Sequence, residues 1–228
     1  MIGQKFVEEV ANDPHAGVYF GQFAEDVIIW RTMQIRRRLS KPGFYVDVGA
    51  HHPTKGSNTY LLHKHYGWRG INIDPNEELI KQFSESRPHD INLCCAISSK
   101  AGTVGYHRFN HPGINTIMPE QADFQTRRPP FKLQDVVQVE VMPLSNVLSK
   151  HLPPGVEIDL LDVDVEGADL DVLQSNDWAA YRPFLICVED SKMRLDNVEK
   201  SDIYRLLTSQ RYLLSHYSVL TAFYIRKD

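Results

Sequence analysis

The chain has 228 residues, 42% hydrophobic and 24% charged, with a net charge of −4. These values describe a globular protein of one large domain with insertions, and an acidic balance without a basic stripe excludes a nucleic-acid surface. The N-terminus lacks a basic-then-apolar signal, no apolar run is long enough to span a membrane, and Cys94, Cys95 and Cys187 read as buried free thiols, so a cytoplasmic protein without a membrane span is expected.

Residues 1–18 carry few signals and read as a mobile end or a short helix laid on the domain. A helix is predicted from Gly21 to about Arg38, with Phe20, Phe23, Val27 and Trp30 on its apolar face. Glu25 and Asp26 suit its start. Arg31, Arg36, Arg37, Arg38 and Lys41 read as a solvated helix end, with a phosphate patch as the alternative. Pro42 and Gly43 lead into a first strand, Phe44-Tyr45-Val46, which runs into Asp47. Gly49 and Ala50 form the turn, where Gly49 would let a ligand approach the backbone. Ser57, Asn58 or Thr59 caps a helix ending near Gly67, and Trp68 reads as a packing residue. Gly70–Ile73 is a second strand. It ends in Asp74-Pro75, where a carboxylate is placed to accept hydrogen bonds from ribose hydroxyls. Leu79, Ile80 and Phe83 give the next helix its inner face, and Ile91–Ala96 reads as strand three.

Residues 99–143 are less regular, with extended segments at Thr103–Tyr106 and Val136–Val141. The loop at 110–115 is rich in turn residues, and its His111 is a candidate acceptor contact or base, or simply an exposed loop histidine. Arg127–Pro130 reads as an exposed mobile segment. Leu144–Lys150 is a short helix. Strand four, Ile158–Val163, runs into Asp164, and the helix after it turns Leu170, Val172 and Leu173 inward. Strand five, Pro183–Val188, ends in Glu189-Asp190, and Val198–Ser209 is a helix. Tyr212–Ser215 and Ala222–Ile225 would form an antiparallel hairpin at the sheet edge. Repeated strand–turn–helix units define an α/β fold with a mostly parallel sheet and helices on both faces.

The chemistry is concentrated at two strand ends. If the backbone stays extended, Asp162, Asp164 and Glu166 project to one side. Glu189 and Asp190 close the neighbouring strand. Such acids can deprotonate a hydroxyl, orient a diol, or bind a hard cation such as Mg²⁺. Without a cation they need raised pKa values or partners, for which Lys192 and Arg194 are candidates.

The stretch from Tyr45 to Asn76, with its SNTY and INIDPN strings, and LLDVDVEGADLDVLQSNDWAAYRPFLICVE at Leu160–Glu189 resemble the FkbM family of S-adenosylmethionine-dependent methyltransferases. The likeness extends weakly from about Tyr19 to the C-terminus. It implies a Rossmann-like methyltransferase fold with a seven-stranded sheet and an antiparallel closing strand. It also implies methyl transfer from S-adenosylmethionine to a hydroxyl oxygen, commonly on a sugar or other small molecule. By this resemblance Asp47, Gly49, Ala50, Asn58, Asp74 and Pro75 border the cofactor. Ala96 lies where the adenine sits, and an N-terminal helix across the mouth brings Gln22 and Glu25 to cofactor or substrate. The DVEG string makes Asp164 and Glu166 the catalytic-face acids, with Glu166 as base. A related group of sugar O-methyltransferases implies a metal on Asp164, Glu189 and Asp190. The domain would run over 41–228, with residues 1–40 packed on it and a substrate-side insertion near 99–143. The turn departs from the general G-x-G-x-G pattern: His51, His52 and Pro53 follow Ala50, and the histidines read as loop residues. A nicotinamide-dependent oxidoreductase is the competing enzyme reading, although the phosphate-binding glycine turn is missing. A non-catalytic nucleotide-binding protein would keep the fold but pair its acids internally and close the mouth. A homo-oligomer would be ordinary for such a domain.

Overall fold

A computed structural model describes residues 18–227 of the chain. The reading of the first eighteen residues therefore lies outside the described residues, Val18 apart. The elements are α1 (Glu25–Ile35), β1 (Phe44–Val48), α2 (Tyr60–Tyr66), β2 (Arg69–Ile73), α3 (Glu77–Ser86) and β3 (Ile91–Leu93). An excursion follows, with β4 (Ala96–Ile97), β5 (Gly102–Phe109), α4 (Pro119–Thr126), β6 (Leu133–Met142) and α5 (Leu144–His151). The chain then returns through β7 (Leu160–Val163), α6 (Asp169–Gln174), β8 (Leu185–Glu189), α7 (Asp202–Ser209), β9 (Tyr212–Ser218) and β10 (Thr221–Arg226).

The main sheet has seven strands in the order β3-β2-β1-β7-β8-β10-β9. All pairings are parallel except those of β10, which runs antiparallel to β8 and β9. Strand alternation assigns the two faces. Val46, Val48, Leu161, Val163, Ile186 and Val188 face α5, α6 and α7, burying Leu144, Val147, Val172, Leu173, Ile203 and Leu207. Tyr45, Leu160, Leu185 and Cys187 face α1 and α2 over Ile29, Met33 and Leu62. Trp68 is fully buried in this second cluster, the packing role expected of it. Chain order reverses beside β1, which lies between β2 and β7, and such a switch point opens a crevice at the carboxyl ends of the strands.

Several local expectations are corrected. Strand three stops at Leu93, whose carbonyl accepts Asp74 N–H. Ala96–Ile97 belongs instead to a separate sheet, β4-β6-β5, pairing in parallel with Val141–Met142. Cys95 and Cys187 are buried free thiols, but Cys94 is exposed at this departure from the sheet. The first helix is shorter at both ends and its face is different. Phe23 is exposed, whereas Glu25 and Asp26 are buried with Ile29 and Met33. The two carboxylates turn inward because they accept the backbone N–H groups of Phe23 (2.7 Å) and Phe20 (2.7 Å). Arg38 is held by Glu157 and Asp159 rather than solvated, and Arg194 pairs with exposed Asp196, far from a role as partner to the strand-end acids. Thr59 occupies the cap position of α2 without capping it; its hydroxyl turns to Asp47. The Val198–Ser209 helix is broken at Ser201, which caps α7 by accepting Tyr204 N–H (3.0 Å).

Candidate active site

The parallel register sets a row of polar side chains across the sheet on the α1–α2 side. Asn72 pairs with Asp47, and Asp47 with Asp162. Adjacent parallel strands lie only about 4.8 Å apart, so two carboxylates share one buried position. A cavity of about 570 Å³ opens at this point. Asp47 and Gly49 reach it from β1, Ile73 and Asp74 from β2, and Asp162, Asp164 and Glu166 from β7. Ala96 and Ile97 supply an apolar shelf. Tyr106, His111, Ile114, Ile117 and Phe131 of the excursion form the far wall, and Phe20 to Gln22 close the side over Asn58.

Each lining group is held by identifiable contacts. Asp47 accepts the Thr59 hydroxyl at 2.8 Å. Burial drives its pKa up to about 6, with Thr59 and Arg87 opposing the rise. Asp74 accepts His51 N–H at 2.9 Å through one oxygen and Asn76 N–H at 2.8 Å through the other. Burial lifts it to about 7 despite those two bonds. Asp162 is pushed well above the carboxylate range by burial and by Asp47 and Asp164, and accepts only a long bond from Asn58 (3.4 Å). Burial, then Glu25 and Asp47, raise Asp164 to about 6, although its side chain is open to the cavity. Burial and Asp164 raise Glu166 to about 8, so it holds its proton at neutral pH. The Asp162–Glu166 acids do meet at one cavity, but not by continued extension. The strand ends at Val163, and Glu166 lies in the left-handed region at φ 52°. Thr116 Oγ1 holds the Glu166 carbonyl at 2.9 Å.

Gly49 is required for a reason other than the one expected. A Cβ there would sit 1.8 Å from the Asp164 carbonyl oxygen, and φ is +83°. The glycine admits the neighbouring strand end, and it also lines the cavity. The sequence-derived residues Gln22, Asp47, Gly49, Ala50, Asn58, Asp74, Pro75, Ala96, His111, Asp164 and Glu166 all line the cavity. Glu25 does not; it is buried behind the wall with Thr221 Oγ1 3.5 Å away.

The implied metal set is not assembled. Carboxylate oxygens of Asp164 and Glu189 approach each other, but the third member is Asp169, all within 4.8 Å. Asp190 is turned away to accept the Ser201 hydroxyl. Asp169 already clamps the turn, accepting Val165 N–H and Gly167 N–H at 3.1 Å each.

Arg87 was not singled out from sequence. Its guanidinium is buried and donates to Tyr45 Oη (3.0 Å), Thr59 Oγ1 (2.9 Å), Ser57 Oγ (2.9 Å) and the Pro53 carbonyl. An arginine at the end of α3 reads as a solvated dipole partner, and nothing in the sequence marks it as buried. Asp169 was not marked either: it accepts N–H groups that precede it, the reverse of an Asx turn.

The sheet order, the antiparallel β10 and the acid-lined crevice at the switch point define a Rossmann-like fold of the methyltransferase type. The chain belongs to the methyltransferase FkbM domain family, whose sequence pattern matches residues 47–214. Methyltransferase sdnD of Sordaria araneosa is 38% identical over 115 residues, covering 41% of this chain and 44% of that protein. The match thus spans less than half of that relative's length. Among the described residues, no helix is long and apolar enough to cross a membrane.

Proposed function

We propose that the chain transfers a methyl group from S-adenosylmethionine to a hydroxyl oxygen of a sugar or other hydroxylated small molecule, and that residues 41–228 form the catalytic domain, with 99–143 on the acceptor side. The observation that carries this reading is Asp74. It is a buried carboxylate at the end of β2, on the cavity wall, with both oxygens oriented by backbone N–H groups. Each oxygen retains a lone pair, which suits a vicinal diol such as a ribose. The surroundings fit the rest of the cofactor. Ile73, Ala96 and Ile97 offer a flat apolar shelf, and Asp47, Asp162 and Asp164 form a carboxylate cluster. Burial, and then mutual crowding, raise the pKa values of that cluster, and a cationic ligand relieves the repulsion.

When bound, the cofactor supplies an activated methyl on a positively charged sulfur. The protein's share is to bind, orient and manage a proton. Glu166, which burial and then Asp164 raise to about 8, lines the cavity where it can hydrogen-bond the acceptor. The wall of Tyr106, Ile114, Ile117 and Phe131 packs the acceptor and excludes water. Fixing oxygen and methyl in line supplies much of the barrier reduction.

The oxidoreductase alternative needs an open glycine turn for a pyrophosphate, and here the space beside Gly49 is taken by the Asp164 carbonyl. The scaffold alternative needs a closed mouth, and the cavity is open. Calorimetric titration with S-adenosylhomocysteine tests the reading, with NAD⁺ titrated alongside. We expect micromolar binding of the former, weakened at least about tenfold by Asp74→Asn, as loss of hydrogen bonds to a charged group requires. Binding of NAD⁺ in its place would overturn the assignment.

A further inference from the structure

We propose that His51 is the general base of this site, taking the acceptor's hydroxyl proton on Nε2 while Glu166 and the 110–117 loop hold the acceptor. The proposal rests on the methyltransferase reading and adds to it the residue that handles the proton.

The backbone is the first observation. His51 adopts φ +51°, a left-handed conformation that non-glycine residues occupy rarely and at a cost. It is fixed there by its N–H, which donates to Asp74. The carboxylate assigned to the nucleoside end therefore also aims this imidazole. The second observation is where the ring goes. His51 is half-buried on the cavity wall, and a Cβ built on Gly113 would lie 3.9 Å from its Nε2 and 3.4 Å from Nδ1 of His111. The bare glycine lets both imidazoles close on the loop, with His51 Nε2 on the cavity side. The third is that the ring of His51 makes no hydrogen bond among the described residues, so a nitrogen is free to accept.

The neighbouring histidines are suited to other tasks. His52 Nδ1 is committed to the backbone N–H groups of Thr54 and Lys55, both at 3.1 Å. His111 is exposed at the mouth, edge-on to Phe131. The groups that face His51 are Asp74 through its backbone, His52 beside it and His111 across Gly113. Burial and those two imidazoles lower its affinity for a proton, which keeps the ring neutral near pH 7. In the reaction one C–O bond forms and one S–C bond breaks. The cationic sulfur becomes a neutral thioether, and the hydroxyl proton moves to the imidazole and then to solvent.

His51→Gly tests the assignment, since glycine keeps the left-handed backbone and leaves a ring-sized gap. S-adenosylhomocysteine should bind the variant within about threefold of the native affinity. Turnover of the hydroxylated acceptor found by screening should fall about 10²-fold or more, as for other lost general bases, and should recover in part when imidazole is added. The acid limb of the pH–rate profile should vanish without imidazole. In the native protein saturated with S-adenosylhomocysteine, NMR of labelled histidine should show His51 titrating below the usual value of about 6.5. A persistent acid limb, absent imidazole rescue, or a ring still protonated at pH 7.5 overturns the proposal. Loss of S-adenosylhomocysteine binding by the native protein instead defeats the cofactor reading, a distinct outcome.

Discussion

A methyl group added at position 49 has nowhere to go. The carbonyl it would meet belongs to the backbone of the β7 end, so relief requires moving a strand rather than a side chain. Gly49→Ala should therefore destabilise the fold by about 3 kcal/mol or more, combining overpacking with a positive φ. Urea denaturation measures it, and a change below about 1 kcal/mol would show that the strands yield. At this scale the sequence was a good guide to which residues line the cavity. Asp47, Asp74, Asp164 and Glu166 were legible because acids at the ends of apolar strands are too costly to leave buried without purpose. Gly49 was legible as a turn residue, but its neighbour came from a strand more than a hundred residues away, which no local pattern encodes. Asp190 was misassigned because adjacent strand-end residues point to opposite sides. Only Glu189 reaches the acid cluster, while Asp190 serves Ser201.

Among the elements, the 53–59 loop depends on one side chain. Arg87, at the end of α3, satisfies a carbonyl and two hydroxyls there and the Tyr45 hydroxyl of β1, and Thr59 passes the arrangement on to Asp47. Removing the arginine leaves buried acceptors unpaired, which costs about 1–3 kcal/mol for each such group. Arg87→Ala should lower stability by that order in chemical denaturation. Arg87→Lys, with too few donors for the set, should restore only part of it. Recovery to native stability with lysine would mean that charge alone matters. Strands were the most legible elements, because near-continuous apolar runs such as Phe44–Val48 and Leu160–Val163 suit strands buried on both faces. The first helix was misread because its carboxylates are internal, reversing the rule that charge faces water. Helix α4 went unseen: its buried residues are Ala122 and Gln125, so no apolar stripe announces it.

For the molecule as a whole, crowded acids set the response to pH. Asp74 and Glu166 have folded-state values of about 7 and 8, above the usual carboxylate values of about 4 that apply when unfolded. Between these values the folded state binds more protons, so stability falls as pH rises through them. His51, His52 and His63 are lowered and act in the opposite sense, but only below about pH 6.5. The ligand-free protein should therefore melt at a progressively lower temperature from pH 6.5 to 8.5 in scanning calorimetry. Asp74→Asn should flatten that slope, and a rising melting temperature over the interval would contradict the burial of these groups.

The excursion from the main sheet leaves at Ala96–Ile97 and returns at Val141–Met142, and these two short runs pair with each other. Besides this neck, the segment is tied to the main body where Thr116 Oγ1 and Gln121 Nε2 donate to Glu166. An exchange of this segment between relatives, cut at the neck, would leave the long sheet's pairings intact. Lineages could thus trade this wall of the cavity as a replaceable cassette, and protein engineers could do the same, while the wall built by the long sheet is inherited unchanged.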